Sequence, residues 1–161
     1  MNEFLGLYPA WLEPGIGAGW VIGFIATIHV LFSHASVGAA LVFAWLARRA
    51  VTANQPQHLD FICKYGAFLL IFSYVLGSVT GPGIWFAATI ANPRGISALI
   101  HNFVWLWATE WVFFLIEVAG VYLLVYLAGR VPIKTYLRYC TIFALSSVGT
   151  LLIIVGILSF M

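Results

Sequence analysis

Four long apolar stretches, about residues 17–47, 61–82, 98–128 and 135–160, constrain this chain more than any other feature. A helix crossing the ~30 Å hydrocarbon layer needs about 20 apolar residues, and each stretch reaches that length. Only 7% of the 161 residues are charged, against roughly 25% in soluble domains, so an ordinary water-facing surface cannot be built. The expected fold class is an all-α integral membrane protein: one domain, 1–161, forming a four-transmembrane-helix bundle. The connections "RRAVTANQPQHLD", "GPGIWFAATIANPRG" and "AGRVPIK" hold half of the charged residues. Pro56, Pro93 and Pro132 fall there, where a missing backbone donor costs least.

The leading "MNEFLGLYPAWLEPG" is too short to span. Its Phe4, Leu5, Leu7, Tyr8, Trp11 and Leu12 suit a short helix lying at the membrane interface. It has neither a basic n-region nor a small-residue cleavage site, so it does not read as a cleaved signal peptide. Arg48, Arg49 and Lys64 flank the first connection, and Arg130, Lys134 and Arg138 flank the third, leaving Arg94 alone on the opposite side. The positive-inside rule makes the basic side cytoplasmic and directs both termini outward. The net charge of +2 comes from these connections and signals topology, with no nucleic-acid partner expected. Cys63 and Cys140 fall near the same reducing side, where a disulfide is not expected.

The stretch "WLWATEWVFFLIEVAG" carries Glu110 and Glu117 with no basic residue beside them. A charged residue at mid-membrane costs on the order of 2.5–3.5 kcal/mol on insertion scales. At 100° per residue the two carboxylates stand about 20° apart on one helix face, two turns from each other. With a span starting near Ala98, Glu110 lies ~18 Å and Glu117 ~28 Å along it, at mid-membrane and toward the cytoplasmic end. Neutral carboxylic acids bridging helices would satisfy such a pattern, but intramembrane ionisable groups mark function by default.

Histidines supply a second half to a possible site. His29 shares its face with Ala18, Ile22, Ala26, Ser33, Ser36 and Ala40, mostly small residues that permit close helix approach or leave room for a flat group. His34 lies about 140° around the same helix. His101 opens the third stretch near the outer surface, about 180° from Glu110, while His58 falls in a solvated connection. Ser73, Gly77 and Gly81 form a small-residue stripe in the second stretch. Trp11, Trp20 and Trp85 suit interfacial anchors, and Trp105, Trp107, Trp111, Phe113 and Phe114 could line either a macrocycle or the lipid. No C-x-x-C-H motif for covalent haem c, no C-x-x-C metal pair and no phosphate loop is present.

Three stretches together resemble the N-terminal four-helix half of subunit I of cytochrome bd-type quinol oxidases. "HVLFSHASVGAALVFAWLA" is similar to the family's His-Phe-Leu-Phe segment and the small-residue run after it. "GSVTGPGIWF" is similar to its Gly-x-x-Thr-Gly turn, and "ATEWVFFLIEVAGVYLLVY" to its third helix, with a glutamate on either side of a double phenylalanine. The resemblance covers nearly all of this chain and less than half of the family's subunit. It implies that His29 is an axial ligand to haem iron, and that Glu110 and Glu117 are carboxylates beside the haem that serve its electrostatics and proton delivery. The two glutamates stand one residue closer than in the family, and "IWFAATIANP" replaces its polar acidic stretch. His34 and His101 lie outside the family pattern and are alternative axial ligands. They would signal a six-coordinate, bis-histidine haem that passes electrons without an open position for oxygen. His29 and His34 cannot sandwich one haem from a single helix, which leaves two haems, or one haem and an interhelical hydrogen bond.

The resemblance and the polar residues together raise the expectation of one or two haems b, non-covalently bound. His29, His34, His101 and Glu110 would hold them, and Glu110 and Glu117 would form a proton pathway. The expected function is a membrane subunit of a respiratory electron-transfer complex in a bacterial or archaeal cell (inner) membrane, rather than a self-sufficient oxidase. Expected partners are other membrane subunits, a cytochrome c on the outer face and quinol. The alternatives are a cofactor-free scaffold or assembly subunit and a small proton-coupled transporter.

Overall fold

The computed structural model describes residues 17–160, the side chains of Ala18 and Leu70 excepted. The expected N-terminal interfacial helix lies outside the described residues. Those residues contain helices, turns and no strand, and four helical runs are long and apolar enough to cross a membrane. The chain is a multi-pass membrane protein.

The first span, α1 (Ala18–Thr52), has 35 residues and is ~52 Å long, more than the hydrocarbon layer requires. It stops where Asn54 takes a left-handed φ of 52°, a conformation asparagine tolerates, and where Pro56 denies the helix a donor. The chain reverses and re-enters as α2 (Gln57–Leu69). α2 passes through a π-helical segment, Leu70–Val75, directly into α3 (Leu76–Ala91). The second span therefore runs from Gln57 to Ala91, well past the expected end at 82. Pro82 lies inside α3 without ending it, since freed carbonyls in membrane helices are re-satisfied by local adjustment and neighbouring groups.

Asn92 does end it. Its side chain accepts from Gly95 N at 3.0 Å and caps α4 (Pro93–Asn102), with Pro93 in the first turn where its fixed φ helps. α4 buries none of its side chains. A break at Phe103, with φ −121° and ψ 26°, separates it from α5 (Val104–Leu127). The third span thus begins at Val104, not near residue 98, and His101 belongs to a different helix from Glu110. Gly129, at a φ of 70°, closes α5 in the left-handed conformation favoured at helix ends. Pro132 then precedes α6 (Ile133–Leu158), accepting from Thr135 N and Tyr136 N at 2.8 and 3.0 Å.

The four spans form a square in which α1 packs against the second span and α6, and α5 packs against α6 and, through α2 and the π segment, the second span. α1 and α5 are diagonal. Two glycines set the α5–α6 approach: Phe143 packs onto Gly120, and Phe113 packs onto Gly149, so each helix presents a ring to the other's glycine.

Packing is concentrated in one half. The core joins Ala40, Phe43, Leu46 and Ala47 of α1 to Ile62 and Leu69 of α2, Val121 and Leu124 of α5, and Tyr136, Cys140 and Phe143 of α6. All of these lie toward the end that carries six of the seven basic residues. Toward the opposite end α3 keeps to α1 and α5 keeps to α6, and the backbones of α3 and α5 do not approach each other. Trp85 and Trp107 bridge that gap edge-to-face, ring centroids 4.9 Å apart.

Candidate functional site

Each span brings one polar side chain to a common level near its own midpoint: Ser36 from α1, Tyr74 from the π segment, Glu117 from α5 and Ser147 from α6. All four are buried. The Tyr74 hydroxyl donates to Glu117 Oε1 at 2.8 Å. The Ser36 hydroxyl lies 3.0 Å from the Tyr74 oxygen and 3.2 Å from Glu117 Oε1, its one proton shared between them. Ser147 Oγ neighbours the Tyr74 hydroxyl and meets hydrogen-bond geometry with no described residue. A carboxyl group here thus has partners from two other helices, which offsets the cost of burying it.

The π segment is what aims Tyr74. One extra residue per turn rotates everything beyond it relative to an α-helix, and such segments recur at functional sites. Its Ser73 and Tyr74 are both buried, whereas neighbouring Ile71, Phe72 and Val75 are exposed. Tyrosine usually sits at the membrane interface, so one at mid-span signals a partnered hydroxyl. That signal was available in the sequence, and sequence reasoning missed it.

About 10 Å toward the open half, seven residues from Ser36 on the same face of α1, stands His29. Its Nδ1 is 2.9 Å from Thr80 Oγ1 of α3. Thr80 Oγ1 also meets hydrogen-bond geometry with Leu76 O at 2.9 Å and Gly77 O at 3.4 Å in its own helix. With the hydroxyl proton on one of those carbonyls, Thr80 Oγ1 accepts from an Nδ1–H and Nε2 keeps its lone pair. Nε2 has no hydrogen-bond partner among the described residues. The ring packs against Gly81, its Cε1 3.2 Å from the place a Cβ would occupy, so only glycine leaves the imidazole this position without displacement. The small-residue stripe of the second span thus serves His29 at Gly81, while nothing lies within 4 Å of a Cβ at Gly77.

The other candidates separate. His34 is exposed and its Nδ1 bonds Val30 O of its own helix at 3.0 Å. His101 is exposed in the last turn of α4. His58 opens α2 and pairs with Gln55 Oε1 at 2.7 Å. Glu110 is half-buried, two turns from Glu117. With α5 starting at Val104, Glu110 is only ~9 Å along the span and Glu117 ~20 Å. Glu117 therefore takes the mid-membrane level expected for Glu110, which lies in the open half. The aromatic cluster also divides: Trp105 is 83% and Trp111 57% exposed, Phe113 packs on Gly149, and Trp107 faces Trp85.

Among the described residues no three or more His, Cys, Asp or Glu side chains converge. A haem iron asks for less, one or two axial ligands, and an imidazole anchored at Nδ1 over a glycine, its Nε2 unpartnered among the described residues, fits that demand. The chain matches no protein-family model, no curated protein and no solved structure.

Proposed function

We propose that this chain is a haem-b-binding membrane subunit of a respiratory electron-transfer complex, akin to the haem-binding half of cytochrome bd oxidase subunit I. The observation that carries the reading is the His29–Thr80 pair. Metal-ligating histidines characteristically donate their second nitrogen to a fixed acceptor, which sets the tautomer and the ring orientation, and His29 is held in this way. A haem b bound there would supply a one-electron couple. His29 would hold the iron through Nε2, Thr80 would orient His29, and Gly81 would keep the ring close to α3. The sparsely packed half in which α3 and α5 stay apart is where such a group would lie.

Glu110 and Glu117 then act as the proton-handling side of the site. Glu110 stands in the open half and Glu117 at the bundle centre, where Tyr74 and Ser36 hold its Oε1. This pair of levels supports a proton route, or a charge balance, along one face of α5. His34 and His101 are directed elsewhere, so a second axial ligand would come from a partner subunit, and His34 suits a second haem at such a contact. The basic end faces the cytoplasm by the positive-inside rule, which puts His29 and Glu110 in the outer leaflet, within reach of an outer cytochrome c or of quinol. Other membrane subunits would cover the apolar flanks.

A reduced-minus-oxidised spectrum of the purified protein, with a pyridine haemochrome assay, tests the reading. A sharp α band with about one or two haems per chain, lost in His29→Ala, is expected; a normal haem spectrum in His29→Ala overturns the assignment. A second reading, a small proton-coupled transporter, is favoured by the π segment at mid-membrane beside a buried Tyr–Glu pair, since interrupted helices mark transporter sites. A colourless protein that carries protons in vesicles would select it. A colourless protein without transport would leave a scaffold.

A further inference from the structure

At the basic end an open surface groove of about 420 Å³ runs beside the α1–α6 contact, lined by Ala44, Trp45, Arg48 and Thr52 of α1 and by Leu137 and Thr141 of α6. We propose that this groove seats an anionic glycerophospholipid, its phosphate on Arg48 and an acyl chain running inward past Ala44 and Leu137.

Three observations carry this. Arg48 is the one charged group lining the groove, and no ion pair joins its guanidinium to a carboxylate among the described residues. The end of the bundle that holds the groove carries Arg48, Arg49, Lys64, Arg130, Lys134 and Arg138 against Asp60 alone, so its net charge favours an anion. Basic pockets between transmembrane helices are where anionic head groups bind, and a planar guanidinium matches a phosphate with two parallel N–H bonds. The threonines do not compete, because Thr52 Oγ1 donates to Arg48 O at 3.0 Å and Thr141 Oγ1 to Leu137 O at 2.8 Å. With both hydroxyls on their own helices, the anion is left to Arg48.

Depth agrees with the assignment. Trp45 forms one wall and is covered by the Arg49 guanidinium, 5.2 Å from the ring centroid. Tryptophan and arginine together mark head-group level. One turn deeper the lining is Ala44, small enough to admit a methylene chain between the two helices.

The test measures thermal unfolding of the detergent-solubilised chain by circular dichroism as phosphatidylglycerol or phosphatidylcholine is added. The variants are Arg48→Gln and Lys134→Gln, which remove equal charge, the second from outside the groove. Phosphatidylglycerol should stabilise the unaltered chain and Lys134→Gln at lower concentration than phosphatidylcholine does. Arg48→Gln should weaken its apparent affinity roughly five- to tenfold, the share of one basic residue near an anionic surface. Equal action of the two lipids, or equal loss in both variants, overturns the proposal: the first means generic lipid, the second diffuse surface charge. Retained selectivity in Arg48→Gln overturns it as well.

Discussion

Tyr74 donates its phenolic proton to Glu117 Oε1 at 2.8 Å, joining the π segment of the second span to α5 at the level where both cross the middle of the bundle. In the polar layer only Ser36 adds a further contact to that oxygen, at 3.2 Å. The pair ties together helices whose backbones meet only through α2 and the π segment.

Tyr74→Phe removes that donor without changing the ring. A buried acceptor losing one of two partners should cost about 1–3 kcal/mol, read as a lower unfolding midpoint in detergent. A double-mutant cycle with Glu117→Gln should show coupling of about 0.5–3 kcal/mol. Strictly additive effects would show that the bond contributes nothing.

Thr80 acts on His29 through its oxygen, so Thr80→Val and Thr80→Ser should differ. Loss of an outer-shell partner commonly weakens metal affinity 10–100-fold. Thr80→Val should therefore lower haem retention on that scale while leaving helical content unchanged, and Thr80→Ser should restore it. If both variants titrate with haem alike, the Thr80 bond has no part in the site.

Gly149 lies beneath Phe113, whose Cδ1 is 2.8 Å from where a Cβ would sit. Gly149→Ala must push the ring aside and should destabilise the α5–α6 pair by about 1–3 kcal/mol. Gly77→Ala, with nothing within 4 Å of its Cβ, is the matched control and should leave the midpoint unchanged within about 0.5 kcal/mol.

The unequal packing of the two halves predicts unequal sensitivity. Phe43 is 2% exposed in the core and Phe24 is 54% exposed in the open half. Phe43→Ala should cost about 3–5 kcal/mol and Phe24→Ala no more than about 0.5 kcal/mol. Comparable losses in the isolated chain would mean that the open half is as tightly held as the core.

The spans themselves were legible in the sequence, because transfer into a bilayer is close to a sum over residues and needs no knowledge of neighbours. For the same reason Glu110 and Glu117 stood out, since a carboxylate in such a run is costly wherever the helix packs. The ends of the second and third spans were not. The second stretch was expected to end at about residue 82, and the capping turn at Asn92 and the break at Phe103 depend on backbone angles that hydropathy does not register. The π segment is likewise invisible to a 100° periodicity, and it is what sends Tyr74 to Glu117. His29 could be chosen as a candidate from its small-residue face, but its tautomer could not. That depends on Thr80, which another helix supplies. Composition determined that four helices cross a membrane carrying two carboxylates and several histidines. Which of those groups meet was decided only by how the helices pack, because a hydrogen bond at about 3 Å is a property of two surfaces brought together and of neither sequence segment alone.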